Sequence, residues 1–163
     1  MEKGKNLLSI VSKVLLQIAA KMNLRPWVND TLPLMTEPVM IVGLDITKKN
    51  GSTNICFVYS TDNKAAKYTY GLSKVKEDWS DFNEKLSSII TEAIERFNSK
   101  CPKGVTLKRI IVYRDGLSKG EHTVTKVNEF DALRKVCTEK DVKKFNFIVV
   151  NKKVSVKFFK QNG

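Results

Sequence analysis

The sequence predicts an α/β fold, a mixed sheet flanked by helices, and three observations carry that expectation. Between residues 39 and 70, short apolar segments follow one another across tight turns, as antiparallel strands do. Beyond residue 80, helix-length amphipathic stretches alternate with apolar strand-like runs, the pattern of parallel strands joined by crossovers. Two of the apolar runs close on an aspartate: M-I-V-G-L-D ends at Asp45, and R-I-I-V-Y-R-D-G carries Asp115.

Taken in order, Leu8, Val11, Leu15, Ile18 and Met22 recur at helical spacing and predict an amphipathic helix over 7–22, ended by Asn23 and Pro26. A loop containing Trp27, Pro33 and Pro38 follows and is the one linker-like stretch. Strands are expected at 39–46 and at Thr53–Ser60, where Ile55, Phe57 and Tyr59 alternate with Cys56 and Val58. Lys48–Ser52 turns between them on the hairpin dipeptide Asn50-Gly51. Asp62-Asn63-Lys64 makes a second turn before a strand around Ala66–Tyr70. Phe82, Leu86, Ile89, Ile90, Ala93 and Phe97 line one face of a long helix, about 81–98. The Pro102–Gly104 turn leads into a strand at 107–114. A second helix, about 124–137, is marked by Val127, Phe130, Leu133 and Val136, and Phe145–Val150 closes the order as a short strand before a basic tail. The order β-β-β-α-β-α-β is that of RNase H-like folds. It sets the first and fourth strands side by side and brings Asp45 and Asp115 together at their carboxyl ends. Like charges so placed favour a bound divalent cation.

At 163 residues and 42% hydrophobic, the chain is the size of one domain, or of a piece of a larger one, and has enough apolar residues for a core. Its net charge of +12 points to a polyanionic partner, most often nucleic acid; the alternative is a generically basic protein. Cys56, Cys101 and Cys137 are odd in number and form no C-x-x-C, which argues against a disulfide framework or a zinc site. They fit an intracellular compartment, cytoplasmic or nuclear. No apolar run approaches the ~20 residues of a membrane span, so no membrane partner is expected.

The string Y-R-D-G-L-S-K-G-E, from Tyr113 to Glu121, resembles the Y-R-D-G-x-S-x-G-Q signature of the Piwi domain of Argonaute and Piwi proteins. Three further segments resemble the same family in the same order. S-K-V-L-L-Q-I-A-A-K is similar to the helix joining the Mid and Piwi domains, in its Piwi-clade form. I-V-G-L-D-I-T is similar to the first catalytic strand, although Lys48 and Lys49 stand where a histidine is frequent. F-I-V-V-N-K-K-V-S-V-K-F-F is similar to the V-V-Q-K-R-x-x-T-R-F-F segment. The resemblance implies an RNase H-like sheet that is incomplete at the C-terminus. It also implies a junction helix and linker at 1–38 and a partial Piwi domain at 39–163.

In members of that family that cleave RNA, the matching positions of Asp45 and Asp115 hold a pair of magnesium ions. Two metals suit phosphodiester hydrolysis, one activating water and one stabilising the leaving oxygen. The third family ligand, a glutamate, aligns with Asp81. Followed by Glu84, Asp81 also reads as an N-cap with its capping-box partner, the reading preferred here, and Glu77 is a possible substitute that aligns less well. The fourth ligand would lie past the basic tail. His122, the only histidine, is expected to be a solvated loop residue. Lys21 matches the lysine that touches the guide 5′ phosphate, though a lysine there also complements the helix dipole. Lys152, Lys153 and Lys157 match the segment that tracks the guide backbone. With Lys143, Lys144 and Lys160 they form the densest run of positive charge, the alternative being a solvated face. The expected function is binding of a small guide RNA and its target RNA in RNA silencing, with weak Mg²⁺ or Mn²⁺ binding and without competent cleavage. The alternatives are an intact guide-directed endoribonuclease and a non-functional gene fragment.

Overall fold

The computed structural model describes residues 2–22, 24, 25, 28, 36–76, 78–117 and 120–151, the side chains of residues 2–6 and of His122 excepted. Its organising feature is a hairpin. Strand β1 (Val39–Lys49) and strand β2 (Ser52–Ser60) run antiparallel, with Lys49 opposite Ser52. Asn50 and Gly51 between them have φ of 52° and 67°. Positive φ at both central residues is what a tight hairpin demands, and Asn-Gly tolerates it best.

The next turn is longer than the sequence suggests. Asp62 Oδ1 accepts from the amides of Ala66 and Lys67, and Thr61 N donates to Lys67 O at 2.8 Å. Residues expected to open the third strand are thereby spent in the loop, and strand β3 runs Tyr68–Lys76.

Helix α2 (Trp79–Lys100) buries Phe82, Leu86, Ile89, Ile90, Ala93 and Phe97, the face its spacing predicts. Its start corrects one expectation. Asp78, in extended conformation, is the N-cap and accepts from Ser80 N. Asp81 lies within the first turn, where its charge complements the helix dipole instead of capping. Trp79 explains the earlier start: it packs edge-on against Phe82 at 5.5 Å, and Lys48 Nζ sits 3.9 Å over its ring.

Strand β4 (Arg109–Asp115) pairs parallel with β1, and strand β5 (Lys144–Val150) parallel with β4. The sheet order is β3-β2-β1-β4-β5, antiparallel on one side of β1 and parallel on the other. This is the mixed sheet expected of an RNase H-like order.

The crossover before β5 is not the single helix expected. It comprises α3 (His122–Thr125), a π-helical turn (Lys126–Phe130) and α4 (Asp131–Glu139). The wider turn shifts the phase of the side chains. Val127, expected on the core face, is 58% exposed, while Leu133 and Val136 are buried as expected. Phe130 packs on Phe145 and Phe147 at 5.4 and 6.0 Å, and Glu129 points inward.

The helices α2 and α4 cover one face of the sheet, over Val42, Leu44, Ile55, Ile110 and Val112. The other face carries exposed apolar side chains, with Tyr70 at 87% and Leu72 at 69%. Helix α1 (Glu2–Lys21) is helical as its spacing predicts, but it makes no extensive contact with any other element, and Leu8, Val11, Leu15 and Ile18 are exposed. Asn23, Pro26, Trp27 and Pro33 lie outside the described residues. No helix among them is long and apolar enough to cross a membrane.

The cysteines are unpaired and differ sharply in setting. Burial alone pushes the Cys137 thiol up to about 12, whereas Cys56 is exposed on β2. Only thiolate attacks an alkylating agent. Brief iodoacetamide treatment of the folded chain at neutral pH is therefore expected to label Cys56 and spare Cys137, as peptide mass mapping would read. Labelling of Cys137 at a comparable rate would mean that α4 opens readily.

Candidate functional site

Asp45 and Asp115 meet because β1 and β4 run parallel in register. Gly43 pairs with Tyr113 and Leu44 with Arg114, so the two aspartates take the next position on neighbouring strands. Alternation turns Val42, Leu44 and Val112 into the core and sends Gly43, Asp45, Tyr113 and Asp115 to the opposite face. There both aspartates line an open depression of about 400 Å³, walled by Val58, Tyr70 and Tyr113. Gly43 keeps its floor low, since a Cβ there would lie 2.8 Å from Val58 Cγ1.

The turn after Asp115 is held from several sides. Gly116 has φ +37°, and its amide donates to Val150 O at 2.9 Å. Leu117 N donates to Asn151 Oδ1 at 2.9 Å. From the core side, Arg114 reaches under the turn. Its Nη1 donates to the carbonyls of Asp115 and Gly116, the latter at 3.4 Å. Its Nε and Nη2 donate to the two carboxylate oxygens of Glu129 at 2.8 and 3.2 Å. Arg114 and Glu129 are only 5% and 3% exposed.

Neither residue was singled out from sequence, yet a signal was there. Strand alternation in R-I-I-V-Y-R-D puts Arg114 on the same face as Ile110 and Val112. A guanidinium facing a core needs a buried anion, and a glutamate on the following crossover is where to look.

The remaining expected residues are not gathered here. Asp81 is exposed in the first turn of α2 and does not line the depression. Among the described residues no group of three His, Cys, Asp or Glu side chains is placed to hold a metal ion. Lys21 is exposed in the last turn of α1. Lys144 is paired with Glu37 at 3.0 Å and Lys143 with Asp141, so those two members of the expected positive run have acidic partners. The Lys144 hydrogen bond, helped by Arg109, holds the Glu37 carboxyl below the usual carboxylate range. Lys152, Lys153, Lys157, Lys160 and Glu77 lie outside the described residues, as does the His122 side chain.

The donor chemistry fits a hard cation in part. Two carboxylates on adjacent strand ends can hold one oxygen-ligated ion that keeps much of its water, but a tightly caged pair of ions needs more ligands.

Comparison with known proteins bears on the fold and the family. The family model described as the Piwi domain matches residues 1–163. The chain is 30% identical over 161 residues to Piwi-like protein 1 of Schmidtea mediterranea, covering 95% of this chain and 19% of that one. It is 28% identical over 166 residues to Piwi-like protein Siwi of Bombyx mori, covering 98% and 18%. The chain thus spans about a fifth of the length of these curated relatives. Among solved structures, the MID-PIWI domains of the N. crassa QDE-2 Argonaute superpose with a TM-score of 0.71 at 18% identity, over 84% of this chain and 43% of that one. Marinitoga piezophila Argonaute, in complex with a 5′ OH guide RNA and target DNA, gives 0.63 at 16% identity, over 84% and 20%. The shared fold and the match along the whole sequence lead to one conclusion: the chain belongs to the Piwi domain family.

Proposed function

We propose that this Piwi domain binds a small guide RNA and its target RNA in RNA silencing, and that it does so without cutting the target. The observation that carries the reading is the placement of Asp45 and Asp115 just past the last paired residues of adjacent parallel strands, on a chain of net charge +12 in this family. Marinitoga piezophila Argonaute, which shares the fold, is bound to guide RNA and target DNA in its solved structure. On this reading residues 1–38 form a junction helix and linker and residues 39–163 the nucleic-acid-binding unit, inside the cell. Lys21 would meet the guide phosphate, and Lys152, Lys153 and Lys157 the guide backbone.

Phosphate contacts make binding salt-dependent, each adding about −0.7 to −0.9 to the slope of log K against log salt. Changing Lys152, Lys153 and Lys157 together to Ala is expected to flatten that slope and weaken RNA binding whatever its sequence. Fluorescence anisotropy with labelled RNA over a salt series reads both. An unchanged titration would remove the phosphate role from this segment.

Asp45 and Asp115 would hold a Mg²⁺ or Mn²⁺ ion weakly. In phosphodiester hydrolysis two such ions, about 4 Å apart, activate water and stabilise the leaving oxygen. Asp81 is exposed on α2, so the described residues bring two carboxylates together where that arrangement needs ligands from several directions. Mn²⁺ binding is expected to disappear with Asp115→Ala, and incubation with guide, target and metal is expected to give no defined product. A defined cut that needs both metal and Asp45 would instead establish guide-directed cleavage.

A further inference from the structure

Arg114 and Glu129 form the one buried pair among the described ion pairs, and the guanidinium is spread over two jobs. One edge is satisfied by the Glu129 carboxylate, and the other arm grips the carbonyls of Asp115 and Gly116. The gripped turn is the backbone of the very residue that faces the depression on the opposite side of the sheet. Glu129 reaches its place through the π-helical turn, the local irregularity that also leaves Val127 in solvent. Gly116 is glycine for its backbone and not for space, because a Cβ there would meet nothing within 4 Å while its φ is +37°. A buried ion pair contributes little net stability compared with apolar side chains of similar size. The pair lies beside the apolar core, lining a pocket of about 570 Å³ with Ile46, Val124 and Thr125, and its retention there calls for some other use.

We propose that the Arg114–Glu129 pair is a brace that sets the Asp115 carboxylate for a divalent cation, with Glu129 as a positioning residue that touches neither cation nor nucleic acid. The proposal rests on the reading of Asp45 and Asp115 as cation ligands. Glu129 fixes the plane of the guanidinium, the guanidinium fixes the Asp115–Gly116 carbonyls, and the carbonyls fix the direction in which the aspartate leaves the strand. Groups that orient a metal ligand from behind typically change metal affinity by about 10–100-fold when altered.

The test uses the full chain, Mn²⁺ as the probe, and loss of the free-ion paramagnetic resonance signal as the readout, with amide exchange at Gly116 and Leu117 followed in parallel. Glu129→Gln keeps the shape but loses the charge. It is expected to weaken Mn²⁺ binding by about 10-fold or more and to speed exchange at both amides. The paired change Arg114→Met with Glu129→Leu replaces the ion pair by apolar volume and is expected to melt cooperatively while showing the same loss of Mn²⁺ affinity. A purely structural pair would be fully replaced by Met and Leu. Normal Mn²⁺ affinity in that folded double variant, with Asp115-dependent binding intact in the unaltered chain, overturns the brace alone. Absence of Asp115-dependent Mn²⁺ binding in the unaltered chain overturns the cation reading, and the brace with it.

Discussion

Glu129→Ala is expected to lower the unfolding free energy by about 3–5 kcal/mol, the loss that follows when a buried ion pair keeps only one charge. The guanidinium of Arg114 would remain in place beneath β4, 5% exposed, with its Nε and Nη2 facing a void. A pocket of about 570 Å³ lined by both Arg114 and Glu129 adjoins the pair, and the loss falls toward the lower end of that range if water enters it. Denaturant unfolding followed by circular dichroism would give the number. A loss below about 1 kcal/mol would match a surface ion pair and would mean that the pair is solvated in solution. Removing both charges together in favour of apolar side chains should cost far less, which separates the penalty of an orphaned charge from the worth of the pair.

A loss of similar size is expected at Phe97. Its ring is fully buried on α2, in the same cluster as Leu86, Ile94, Leu107 and Val142. Phe97→Ala removes most of a ring from a region bounded by helix and sheet, which cannot collapse to fill the space. Truncations of this kind cost about 3–5 kcal/mol. Phe97→Leu should cost much less, because volume is largely kept. Equal effects from the two would show that the ring's shape, and not its volume, is what the core needs. Neither change touches the Asp45–Asp115 depression, which lies on the other face of the sheet, so any Mn²⁺ binding should persist until the domain unfolds.

The parts of the fold that could be read from sequence are those in which one local signal points one way. Asn50-Gly51 requires a hairpin turn, and the 82–97 periodicity requires a one-sided helix; both are present as expected. The apolar run into Asp115 likewise places that residue at the end of an interior strand. The misreadings came where local signals compete. Asp78 and Asp81 both precede helical sequence and both suit an N-cap; the choice fell to the tertiary contacts of Trp79 with Phe82 and Lys48. Val127 stands three residues before Phe130, a spacing a helix allows, yet with the π-helical turn it faces solvent while Glu129 is buried against Arg114 and Phe130 packs on β5. At the site, the two aspartates were legible because strand ends announce themselves. The Arg114–Glu129 pair was not, because it joins residues from different elements and neither has meaning without the other.

The parallel pairing of β1 with β4 has a consequence in time. Strands β1, β2 and β3 are neighbours in sequence and can zip together by closing short loops, on the microsecond scale of hairpins. Val39 finds Arg109 only after the whole of β2, β3 and α2 has been looped out between them. Closing a longer loop costs more chain entropy and slows the search for the native pairing. Asp45 and Asp115, whose mutual repulsion opposes this same step, therefore become neighbours only when the most distant contact in the sheet is made. A divalent ion bound there as proposed would thus also act as a folding ligand, holding shut the longest-range seam of the sheet.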